Sequence, residues 1–110
     1  MQMLVELWKA RPSWHEWSPD ERVAYLERAG PAIRALLAGG AQLVAIGAAD
    51  ATNGHQPDYD YWVVWRFLDA DQLTRFTETL ERIGWLDHFE PVNAGVEGRP
   101  LQEILAEHGL

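Results

Sequence analysis

The chain has 110 residues, the length of one domain spanning 1–110, and enough to bury roughly 65 % of its unfolded surface without staples. Nine lysines and arginines against 17 acidic residues give a net charge of −8; with no basic cluster longer than a residue or two, nucleic acid and anionic membrane are excluded as partners. No cysteine is present, which removes disulfides, thiol nucleophiles and thiolate-bound metals.

Met3 to Trp8 alternates Met3, Val5 and Leu7 against Leu4, Glu6 and Trp8, so it reads as a first strand with one plain apolar face and one carrying a carboxylate beside an indole. This opening has acid inside its short apolar run and no basic start or cleavage site, unlike a signal peptide. No apolar run approaches the ~20 residues of a membrane span, and a cytoplasmic protein is expected. Lys9 to Trp17 follows as an irregular polar connection. Ser18-Pro19-Asp20-Glu21 is a helix start: serine caps, proline suits the first helical position and glutamate completes a capping box. The helix carries Val23, Leu26, Ile33, Leu36 and Leu37, is expected to kink or break at Gly30-Pro31, and stops at Gly39-Gly40.

Ala41 to Ala48 reads as a second strand, and Ala49 to Pro57 as a turn segment centred on Asn53-Gly54. Asp58 to Phe67 is then the central strand, with seven of ten positions aromatic or β-branched. Tyr59, Tyr61, Val63, Trp65 and Phe67 share one face; Asp60, Trp62, Val64 and Arg66 share the other. The first set is expected to cover helices. Asp69 to Gln72 signals a second helix whose Leu73, Phe76, Leu80 and Ile83 form its apolar stripe, ending at Gly84. Trp85 to Asn93 reads as an irregular or edge strand because of Asp87 and Pro91, and Leu101 to His108 as a last short helix.

The order β-α-β-β-α-β plus a terminal helix predicts an α+β, ferredoxin-like antiparallel sheet with helices on one face. The uncovered face is expected to show Leu4, Trp8, Trp62 and Val64, a surface that a homodimer pairing two sheets would hide. Six tryptophans in 110 residues are more than a small core requires, and point to an interface or an aromatic pocket.

Val5 to Pro12 with Trp14, the Gly30-Pro31 step, Asp58-Tyr59-Asp60 through Trp65-Arg66-Phe67, and Gly84-Trp85 through Phe89-Glu90 with Val92-Asn93 resemble an uncharacterised bacterial family of small proteins related to the dimeric α/β-barrel superfamily. The resemblance spans about residues 3 to 94. That superfamily includes cofactor-free monooxygenases of antibiotic biosynthesis, haem-degrading monooxygenases, muconolactone isomerases and ligand-binding stress proteins, so the resemblance implies a small hydrophobic ligand and a dimeric barrel. The haem-degrading members use an asparagine on the first strand, a tryptophan on the third and a histidine at the second helix. This chain has Trp65 for the second of these, but Glu6 for the first and no histidine between Asp69 and Gly84.

Glu6 and Arg66 are expected to share the aromatic face, either as a structural ion pair at the dimer interface or as a base beside an anion or oxyanion partner. His88 is the other acid–base candidate, placed where the last strand passes the first. Trp8, Tyr61, Trp62, Trp65 and Phe89 are the candidate walls for a small hydrophobic or aromatic molecule, converted by oxidation, isomerisation or cyclisation or merely bound. His15, His55 and His108 have no partner at metal-ligand spacing, and no nucleotide-binding or serine-hydrolase motif occurs, so neither metal nor cofactor is expected.

Overall fold

The computed structural model describes residues 2–50, 52 and 54–109; Asn53, at the centre of the expected turn, lies outside them. Four strands, β1 (Gln2–Ala10), β2 (Gln42–Ala48), β3 (Tyr61–Phe67) and β4 (Phe89–Ala94), form a sheet in the order β2-β3-β1-β4, every neighbour antiparallel. The helices are α1 (Pro12–Glu16), α2 (Pro19–Ala38), α3 (Ala70–Arg82), α4 (Trp85–His88) and α5 (Leu101–Glu107). This is the expected ferredoxin-like α+β arrangement, with β2 and β3 joined as a hairpin.

Local chemistry sets the helix starts. Ser18 Oγ accepts from the Glu21 N–H while the Glu21 carboxylate accepts from the Ser18 N–H, both at 3.2 Å, so α2 opens on a reciprocal capping box. Asp69 caps α3 by accepting from the Gln72 N–H at 2.8 Å. The buried Gln72 amide then donates to the Gly39 carbonyl and accepts from the Leu68 N–H, tying the end of α2 to the exit of β3. At Gly40 the backbone turns through φ 108°, and a Cβ there would sit 2.7 Å from Leu68; the turn therefore needs glycine.

Three local expectations are corrected. The helix does not divide at Gly30-Pro31, since α2 runs through Pro31 from Pro19 to Ala38. Buried Tyr25 and Ala29 on one side of the proline, and Ile33 and Leu36 on the other, all pack inward, so burial along the whole length outweighs one missing backbone hydrogen bond. The connection after β1 contains the one-turn helix α1, which Pro12 opens. Finally, the last strand begins at Phe89: Gly84 sits in the left-handed region at φ 74° and ends α3, and Trp85–His88 form the short helix α4.

Register decides which residues the helices cover. Leu4 faces Trp65, Glu6 faces Val63 and Trp8 faces Tyr61 across the β1–β3 ladder, and paired residues share a sheet face. Leu4, Trp8, Val63, Trp65 and Phe67 therefore build the core with Phe76, Leu80 and Phe89. The expectation that Leu4 and Trp8 lie on the uncovered face beside Trp62 and Val64 is wrong by one residue of register, which exchanges the two faces of β1. The open face carries Val5 opposite Val64 and Leu7 opposite Trp62, flanked by Val92 and Met3.

Candidate functional site

Between the covered face of the sheet and helices α2, α3 and α4 lies a cavity of about 430 Å³. Trp8, Tyr61, Val63 and Trp65 come from the sheet, Phe76 and Leu80 from α3, and Trp85 from α4. Ile33 and Leu37 of α2, with Leu43 and Ile46 of β2, complete the wall. Glu6 is the only charged residue among the lining residues.

Glu6 belongs there by strand parity: it sits between Leu4 and Trp8 on the covered face, opposite Val63 on one side and Asn93 on the other. Its side chain is 2 % exposed. Burial disfavours the ionised form and pushes the carboxyl from 4.5 up to about 7, against the pull of hydrogen bonding from the Trp65 and then the Trp8 indole. Tyr61 is raised as well, first by burial and then by the nearby Glu6 charge; its phenol therefore keeps its proton at neutral pH. The indole N–H of Trp85 is buried without a hydrogen-bond partner among the described residues. The cavity thus combines apolar walls with a carboxyl poised between its two protonation states and neutral N–H and O–H groups.

Four of the residues singled out from sequence, Glu6, Trp8, Tyr61 and Trp65, meet at this cavity. The other four do not. Arg66 is exposed on the opposite sheet face, across from Met3 and Gln42, so the expected Glu6–Arg66 pair does not form. Trp62 shares that open face and lies flat over Gly47, where a Cβ would come within 2.6 Å of its indole nitrogen. Phe89 is buried behind the cavity wall, its ring 4.3 Å from that of Trp85 and 4.8 Å from that of Trp14. His88 ends α4 rather than lying in a strand; its Nδ1 is 3.1 Å from Ser13 Oγ and its ring packs on Trp17 and Tyr25, beside a separate surface hollow. In the segment between β2 and β3, Asp50 accepts from the Thr52 N–H and hydroxyl, and Asp58 pairs with Lys9.

Sequence reasoning missed Trp85 and the aliphatic half of the wall. Leu43 and Ile46 belong to β2, whose short apolar run has no alternation to assign a face, and its register shifts between Leu43 and Ala45. Trp85 follows a glycine that ends a helix, which is the one available sign that its ring turns back onto the core. Among the described residues, no cluster of three or more His, Asp or Glu side chains is gathered to hold a metal ion, and no helix is long and apolar enough to cross a membrane.

A four-stranded antiparallel sheet in this order, with α2 and α3 packed on one face, places the protein in the α+β, ferredoxin-like class. Within that class, the chain belongs to a family of unknown function, DUF6616, whose model matches residues 1–109. No curated protein matches it. Among solved structures, a chlorite dismutase from Candidatus Nitrospira defluvii superposes with a TM-score of 0.70 at 15 % identity, over 99 % of this chain and 44 % of that one. A second variant of that enzyme gives 0.69 at 14 %, over 96 % and 44 %. A protein from Agrobacterium tumefaciens gives 0.51 at 14 %, over 92 % and 96 %. Likeness at these identities is a likeness of fold, and this chain spans under half the length of the chlorite dismutase chains.

Proposed function

We propose that the cavity binds a small hydrophobic or aromatic molecule and that Glu6 moves a proton on it, with no metal or nucleotide taking part. One observation carries this reading: a carboxyl that is 2 % exposed sits on the wall of an apolar cavity of about 430 Å³ with its pKa lifted to about 7. A carboxylate buried without a cationic partner costs stability, and a pKa near the working pH suits a general acid or base. Trp8, Tyr61 and Trp65 serve as walls, and the volume lies in the range of small-molecule sites. Trp62 and Arg66 belong to the other sheet face and His88 to its own aromatic cluster, so proton transfer falls to Glu6.

The open sheet face supports a second reading, a homodimeric binding or assembly module without catalysis. Val5, Leu7, Trp62, Val64 and Val92 leave an apolar strip there. The chain alone is only 18 Å across its shortest axis, with a radius of gyration of 16.1 Å, against about 13 Å for a compact chain of this length. A second copy stacked on that face would thicken the particle and remove the strip from water. Dimerisation is compatible with either reading, so Glu6 separates them.

Naphthalene titrated against indole fluorescence tests the pocket. Quenching should saturate in the native protein and weaken in Ile33→Trp, which puts an indole into the cavity. Saturable binding that Ile33→Trp leaves unchanged would place the ligand elsewhere and end the proposal. Glu6→Gln, on the covered face and away from the apolar strip, is expected to stay folded, to keep its oligomeric state and to keep binding naphthalene.

A further inference from the structure

Two polar side chains share the cavity wall. Tyr61 pairs with Trp8 and Glu6 with Val63, so Glu6 and Tyr61 are diagonal neighbours on one sheet face, with Cβ atoms about 7 Å apart, and both line the cavity. The separation suits one small molecule touching a carboxyl at one atom and a phenol two or three bonds away. No lysine or arginine is among the lining residues, so the wall offers nothing to neutralise a phosphate or carboxylate, and the Glu6 charge repels one. A neutral ligand is therefore favoured, with an oxygen that accepts a hydrogen bond. The unpaired Trp85 N–H is a further donor on the same wall.

Resting on the pocket-and-base reading above, we propose that the site takes a small neutral ketone or lactone with an acidic C–H beside its carbonyl. Glu6 is the base for that proton, and the Tyr61 hydroxyl is the donor to the carbonyl oxygen. The Glu6 carboxylate takes the proton, the C–H electron pair forms a new carbon–carbon double bond, and the carbonyl π pair moves to oxygen, where the Tyr61 hydroxyl holds the enolate. Glu6, now protonated, returns the proton to the same carbon or, in a β,γ-unsaturated compound, to the γ carbon, and the carbonyl re-forms. The product is an isomer of the substrate. Atoms and electrons balance without an oxidant, a reductant or a second substrate. Donors fixed against apolar walls act on the charge that develops at oxygen, and burial keeps Tyr61 protonated and able to donate.

The probes are 2-tetralone, whose C–H beside the carbonyl exchanges with deuterium, and 2-naphthol, the aromatic counterpart of its enol. In D2O the native protein is expected to speed exchange of 2-tetralone, followed by proton NMR, at least tenfold over matched buffer. Glu6→Gln should return the rate to that of buffer. Tyr61→Phe should bring the rate down towards that of buffer, since losing one oxyanion donor costs roughly 10²-fold of the protein's own contribution. Both variants should still bind 2-naphthol, read by indole quenching, with affinity within about tenfold of the native protein. If 2-naphthol binds but exchange matches buffer, the carbonyl chemistry is overturned while the pocket reading stands. If neither probe engages the protein, the pocket reading fails and takes this inference with it. Exchange that survives Glu6→Gln overturns the role of Glu6. Should Glu6→Gln not fold, Tyr61→Phe decides alone, and an unchanged rate there overturns the pairing.

Discussion

Trp62 and Trp65 lie three residues apart on β3 and face opposite ways. Trp65 is 8 % exposed, its ring 5.0 Å from that of Phe76, and it lines the cavity together with Glu6. Trp62 lies across Gly47 on the open face, among Leu7, Val5 and Arg66. The same residue type thus lines an apolar cavity on one side of the sheet and an apolar surface on the other. A sheet with helices on one face has a covered side, where we propose the chemistry, and an open side, where we propose assembly, and the parity of each strand decides which residues go to each.

The sharpest way to break this division is to open the covered side. Phe76, 2 % exposed and part of the cavity wall, should cost about 3–5 kcal/mol of unfolding free energy as Phe76→Ala, read by urea denaturation. A loss under 1 kcal/mol would mean that the covered face is not the core. Next comes the pH dependence of stability. Glu6 has its folded pKa raised from 4.5 to about 7, so between those values the folded state holds more protons than the unfolded one. Its contribution is present below about pH 4.5 and is lost as pH rises to about 7, a change of about 3 kcal/mol at most. Comparing urea midpoints of native protein and Glu6→Gln at pH 5 and 8 isolates it: the variant should lack that fall, and an identical fall in both would assign it to other groups.

The open side is tested by Leu7→Lys. Sedimentation at micromolar concentration should show the native protein as a dimer and the variant as a folded monomer, with its dimer dissociation constant weakened tenfold or more. A native protein that is monomeric at that concentration removes the assembly side altogether. Ser18→Ala touches neither face and should cost about 1 kcal/mol, the usual loss of a capping hydroxyl, while leaving naphthalene binding and the dimer unchanged. Any effect on either would show that α2 couples the two sides.

Much of this was legible in the chain. The caps at Ser18 and Asp69, the stripe Leu73, Phe76, Leu80 and Ile83, and the aromatic run through Phe67 place two helices and the central strand, because capping and periodicity are local. Glu6 beside Trp8, and the inward set Tyr61, Val63, Trp65 and Phe67, follow from alternation within a strand. What alternation lacks is the phase between strands. Glu6 could be matched to Arg66 or to Trp65 with equal local sense, and only the hydrogen-bonded ladder, Glu6 against Val63, chooses.

The amino-acid order by itself therefore determined the order of the four strands and the two long helices, the fold class and the residues on each side of β1 and β3, since these rest on interactions a few positions long. The tertiary structure decided which sides face one another: it joined Glu6 to Tyr61 and Trp65, sent Arg66 and Trp62 to the far surface, turned Trp85 inward through the bend at Gly84, and drew the aliphatic wall from β2 and α2. Those choices depend on packing between segments far apart in the chain, where a shift of one residue costs nothing locally and exchanges every side chain between core and solvent.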